Sequence, residues 1–180
     1  MTGDTGTRRY VSVAPEVRRW LVVNALLITA GINVVLNAGI AWVSVLGHRR
    51  VPLLAVPLVG GPSTITDSLG TLFVLPLITC LLVSVGVRRD IKGGQLPVPE
   101  RHAWPGLRRL PRHPLRRGLV LGSVCLAVLG GPVAAGLAAL QAGGLAPGDF
   151  VVLKTLFAVG LGVLVTPVIA LAALVHTHRE

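Results

Sequence analysis

Charge is what this chain has least of. Of its 180 residues, 13% are Asp, Glu, Lys or Arg, where an ordinary soluble domain carries about 25%. Acids are the scarcer kind: seven, against seventeen basic residues. Aromatic residues make up 4%, and there are two cysteines, Cys80 and Cys125, with no C-x-x-C between them. That excludes a disulfide scaffold and a thiol-rich metal centre. Also missing are a glycine-rich phosphate loop, a nucleophile elbow and an H-E-x-x-H helix. The histidines do not compensate. His48, His102 and His113 stand beside arginines that repel a metal ion, and His176 and His178 are two apart, off a common helix face. No catalytic residue, metal site or cofactor is therefore expected, and the chain does not read as an enzyme.

The shortage of charge is concentrated in segments. Residues 20–47, 68–87, 118–148 and 155–175 contain no Asp, Glu, Lys or Arg. Apolar stretches of about 18 residues or more read as membrane spans. The fold class this predicts is an all-α polytopic membrane protein, a bundle of four transmembrane helices with both termini cytoplasmic. Its parts are a basic N-terminal tail (1–19), a transmembrane domain (20–175) and a short C-terminal tail (176–180). The spans fall at about 20–46, 65–87, 118–139 and 150–175, with a basic, proline-rich loop at 88–117. Thr7-Arg8-Arg9-Tyr10-Val11 faintly resembles a twin-arginine signal, but the apolar run after it is too long for a signal core, so a retained span is expected. Pro76, Pro132 and Pro167 lie inside spans 2, 3 and 4, where each removes a backbone donor and favours a kink.

The cations that remain are segregated. Fourteen of the seventeen lie in the N-terminal tail, the 88–117 loop and the C-terminal tail, and Arg49 and Arg50 are the only ones in the other two connections. By the positive-inside rule the richer side is cytoplasmic. A net charge of +10 would point to nucleic acid in a soluble protein. Here no nucleic-acid partner is expected. Arg88–Arg117, broken by the five prolines Pro97, Pro99, Pro105, Pro111 and Pro114, reads either as a strap on anionic lipid headgroups or as a topology signal alone. The apolar segment Val51–Val59 is too short to span; an interfacial, re-entrant or plain extended course all remain open.

Polar groups within the apolar stretches are the candidates for function. Thr29, Asn33 and Asn37 recur at i, i+4 and i+8, with Ser44 seven further on, which aligns them along one helix face. The ridge is either a polar path or interhelical glue. Asp67 and Lys154 are the charges nearest the hydrocarbon, one near the start of span 2 and one near the start of span 4. Intramembrane charges usually face a partner or a water-filled cavity. Against that, Thr64-Ile65-Thr66-Asp67 fits a capping box, and Lys154 could snorkel outward. Gly118-x3-Gly122, Ala135-x3-Ala139 and Ala158-x3-Gly162 offer close helix approach. Short matches between 38–41 and 135–138, and between 71–73 and 155–157, also admit a parallel repeat of two hairpins.

The layout resembles that of small, functionally uncharacterised four-span bacterial inner-membrane proteins, and the arginine bias with abundant Ala, Gly and Val fits a GC-rich bacterial genome. Small multidrug exporters share the span number but carry an acid in their first span, and this chain has none there. The expectation is a multi-pass protein of the bacterial cytoplasmic membrane. It is permease-like or channel-like, moving a small solute or ion as an oligomer, with Asn33, Asn37, Asp67 and Lys154 as pathway or ligand candidates. The alternative is a non-transporting accessory or scaffold subunit of a membrane complex.

Overall fold

A computed structural model describes residues 15–55, 61–96, 106–140 and 144–177. The described residues are almost entirely helical, and their sole strand-like pairing is an isolated bridge between Val51 and Leu145. Helix α1 (Pro15–Trp20) passes through a wider π-helical segment, Leu21–Ile28, into α2 (Thr29–Val45). Then come α3 (Thr64–Lys92), a single 3-10 turn at Leu107–Arg109, α4 (Pro114–Leu140) and α5 (Pro147–Thr177).

Three helices, α3, α4 and α5, are long and apolar enough to cross a membrane; α2 is apolar but shorter. At 1.5 Å per residue, α3 and α5 are about 43 and 46 Å long, and α2 only about 25 Å. The first apolar stretch is thus not one uniform α-helix, because its leading third winds as a π-helix. Pro76, Pro132 and Pro167 all lie inside helices that continue past them. One lost backbone bond does not end a helix whose side chains are held on both sides of the gap.

Both connections other than the basic loop meet at one end of the molecule. Val51 and Leu145 exchange backbone hydrogen bonds of 2.9 Å in each direction, tying the α2–α3 connection to the α4–α5 connection. The described part of the apolar segment, residues 51–55, takes an extended course across the start of α3. There the Pro52 and Leu53 carbonyls accept from the Thr64 and Ile65 backbone N–H at 3.1 and 3.0 Å. At the opposite, basic end, Trp20 donates its indole N–H to Asp90 Oδ2 at 2.6 Å, fastening α1 to the last turns of α3.

The helices pack in the order α2, α5, α3, α4, with α5 and α3 in the middle. Burial follows: half of the apolar window of α5 is buried, against 17% for α4. Small residues set the closest approaches. A Cβ on Gly118 would stand 2.9 Å from the Leu77 Cα, and one on Gly122 would stand 2.5 Å from the Phe73 carbonyl oxygen. Glycine there lets the α3 and α4 backbones touch. On α5, Ala158 is buried against Leu72 and Leu75 of α3, while Gly162 receives Asn33 of α2. Ala135 and Ala139 are exposed and bring no helices together.

Candidate functional site: a polar groove between α2 and α3

Helices α2 and α3 both lean on α5 and make little direct contact with each other. The space left between them is a groove with a cavity volume of about 870 Å³, floored by Lys154 of α5. It follows α3 from Asp67 to Asp90, about 35 Å at the helical rise. Thr29, Asn33 and Asn37 line it from α2, and Asp67 and Thr71 from α3. Further along the α3 wall come the apolar Val74, Ile78 and Leu82 with Thr79 among them, and then the charged Arg89 and Asp90 at the basic end.

Near the end that carries the two short connections, Lys154 Nζ donates to Asp67 Oδ1 at 2.8 Å. Lys154 is 7% exposed and its ammonium lies 5.9 Å from the centroid of the Phe150 ring, within cation–π range. The lysine therefore does not snorkel outward. Asp67 is not a cap either. Ser63 occupies the N-cap position with extended backbone and makes no side-chain cap bond, and the N–H groups of Thr64 and Ile65 are already taken by the preceding chain. Those carbonyls do the work a capping carboxylate would have done, so Asp67 is free to turn to α5. Its second oxygen, Oδ2, is buried and has no hydrogen-bond partner.

The asparagine ridge splits in its behaviour. Asn33 is buried, with Nδ2 unpartnered and seated where a Cβ on Gly162 would come within 2.8 Å. Asn37 Nδ2 donates to the Asn33 carbonyl at 2.9 Å, one turn back on its own helix. Ser44 also bonds its own helix, at the Ile40 carbonyl, and lies outside the groove. Among the described residues, neither asparagine amide bonds a neighbouring helix. Thr71 Oγ1 donates to the Asp67 carbonyl at 2.9 Å, which leaves the hydroxyl oxygen available to the groove. The four residues singled out by sequence, Asn33, Asn37, Asp67 and Lys154, all line this one groove.

Comparison with known protein families, curated proteins and solved structures finds no match. Function must therefore be argued from the chemistry of the groove.

Two groups escaped the sequence reading. Trp20 and Asp90, seventy positions apart, close the basic end of the groove, with Trp20 buried in a cluster that includes Val83, Val87 and Ala170. Arg117 read as one of nine cations in a loop, yet it is 2% exposed, wedged between α3 and α4. One guanidinium nitrogen donates to Ser84 Oγ, while Nε and Nη1 have no partner. Its burial follows from the close approach at Gly118 and Gly122, which no local spacing announces. Among the described residues, no group of three or more His, Cys, Asp or Glu could hold a metal ion; Cys80 and Cys125 are both free thiols.

Proposed function

We propose that this chain is a permease-like membrane protein that crosses the bacterial cytoplasmic membrane four times and moves a small solute through the α2–α3 groove. The observation that carries the reading is the Asp67–Lys154 ion pair, held among apolar helices and facing a cavity. Charges at membrane depth are costly and are retained where they serve a pathway or a ligand. Two attachments bound the groove, Asp67–Lys154 at one end and Trp20–Asp90 at the other. Releasing them in turn would expose the groove to either side. The π-helical segment Leu21–Ile28 directly follows Trp20, where such wider turns commonly accompany functional motion.

Orientation belongs to the same proposal. The connections at one end carry Arg49 and Arg50, whereas the other end gathers the 88–117 loop and both tails, so that end is cytoplasmic and its arginines rest on anionic headgroups. The largely unburied α4 supplies an apolar face for a second copy or a partner subunit.

The test is uptake by proteoliposomes of a panel of inorganic ions and amphiphilic cations. Wild-type chain should give saturable uptake, reduced by Asp67→Asn and by Lys154→Met, while Val128→Ala on the exposed side of α4 leaves it intact. Absence of uptake for the whole panel, with a second membrane protein copurifying reproducibly, would assign the chain to an accessory subunit instead.

A further inference from the structure

We propose that the seam between α3 and α4 at the basic end binds a phospholipid with two phosphates. Arg88, Lys92 and Arg112 hold its head, and its chains lie on Leu81, Leu115 and Leu119. The inference rests on the membrane orientation proposed above and gives the contact with anionic headgroups a place and a ligand class; it does not depend on transport.

Helix register brings these residues together. Leu77 meets Gly118 and Phe73 meets Gly122, which sets α3 and α4 antiparallel. Leu81 is therefore level with Pro114 and Leu115 at the start of α4. Leu81, Arg88 and Lys92 follow Leu77 by four, eleven and fifteen residues, close to whole turns, so they stay near the α4 side of α3. Leu115 and Leu119 are one turn apart beside Gly118, and Arg112 stands just ahead of that helix. All six side chains are exposed. Arg88 is about 10 Å beyond Leu81 along α3. The seam thus passes from leucines to cations as a leaflet passes from acyl chain to phosphate.

A buried charge at the seam calls for an anion. Arg117 is enclosed between the two helices, where its hydrogen bond goes to the neutral Ser84 hydroxyl. Among the described residues no carboxylate pairs with it. Arg88 is near enough to repel it. Charge acts over a longer range in a medium of low dielectric constant. An anion on the exposed side of the seam therefore relieves Arg117 without touching its buried nitrogens. The acids described at this end do not serve. Asp90 lines the groove side of α3, bonded to Trp20, and Glu16 belongs to α1, which that bond fastens to the same side. Arg88 and Lys92 stand on one wall of the seam and Arg112 on the other, so one phosphate would leave most of the charge unbalanced. Two phosphates on a short bridge reach both walls, and basic pockets between transmembrane helices suit such heads. The leucines beneath the cations favour a lipid over a soluble polyanion, and their presence on both helices suits a lipid with several chains.

The test is native mass spectrometry of the full chain in a mild non-ionic detergent, titrated with tetraoleoyl cardiolipin, dioleoyl phosphatidylglycerol and sodium pyrophosphate. Cardiolipin should be retained about tenfold or more tightly than phosphatidylglycerol at equal phosphate. Excess pyrophosphate should not displace it. A cation near a membrane surface is worth about fivefold in binding. Arg88→Gln and Arg112→Gln should each weaken cardiolipin by about that factor, and the double variant by about 25-fold. Arg117→Met, which removes only a buried charge, should weaken it about twofold or more. Arg49→Gln with Arg50→Gln, at the opposite end, should change nothing. Equal retention of the two lipids by the wild-type chain overturns the proposal without reliance on any variant. So does an equal loss in the Arg49/Arg50 variant. Displacement by pyrophosphate overturns it in favour of a soluble polyanion. Selective retention with no uptake in proteoliposomes removes transport and leaves the lipid site standing. Uptake with no selective retention does the reverse.

Discussion

Removing either partner of the Asp67–Lys154 pair should have very unequal consequences. Lys154 is 7% exposed, whereas the Asp67 side chain retains 28% of its surface. Asp67→Asn keeps the shape of the side chain but strands the ammonium, with the Phe150 ring as its remaining attraction. Breaking a buried pair in this way costs about 3–5 kcal/mol, of which a cation–π contact returns at most about 2 kcal/mol. Lys154→Met instead deletes the buried cation and fills the volume of its stem with a flexible apolar chain. The carboxylate left behind has one buried oxygen but sits on a side chain that keeps 28% of its surface, so the expected loss is smaller, about 1–3 kcal/mol. The double variant carries no stranded charge and should lie within about 1 kcal/mol of wild type. Loss of helicity in mixed micelles on titration with sodium dodecyl sulfate measures all four corners of the cycle. Equal losses for the two single variants, or a double variant as unstable as their sum, would refute the assigned burial and coupling.

Gly122→Ala should cost about 1–3 kcal/mol by the same titration, because the new Cβ meets the Phe73 carbonyl, which cannot swing aside. Gly136→Ala on the same helix meets nothing within 4 Å and should stabilise by up to about 1 kcal/mol. Trp20→Phe deletes the 2.6 Å bond to Asp90 and should speed amide exchange across residues 15–28, with no change in the exchange of α4. Arg117→Met replaces a buried guanidinium that has no hydrogen-bond partner at Nε or Nη1, so thermal melting in detergent should show a Tm equal to or above wild type.

Much of the helical layout could be read along the chain because hydrocarbon tolerates so little charge. Three of the four charge-free stretches fall in long apolar helices, and the i, i+4 spacing of Asn33 and Asn37 places both on the groove side of α2. What stayed hidden depended on neighbours distant in sequence. Asp67 had two readings until the Pro52 and Leu53 carbonyls satisfied the start of α3 and released its carboxylate. The π-helical segment at Leu21–Ile28 has no proline or glycine to mark it, whereas α3, α4 and α5 each contain a proline and continue past it. Arg117 looks like its loop neighbours until the glycines beside it draw α4 onto α3. The groove itself is a consequence of packing order: nothing local in α2 or α3 states that α5 separates them.

The central claim is that the space between α2 and α3 is the path of the solute, and closing it tests this most directly. Leu36→Cys on α2 and Val74→Cys on α3 place thiols on opposite walls of the groove in a chain whose Cys80 and Cys125 have been replaced by Ala. A cleavable bifunctional thiol reagent joining them should stop proteoliposome uptake, and reductive cleavage of the linker should restore it. Uptake that persists with α2 and α3 fully cross-linked would contradict the account.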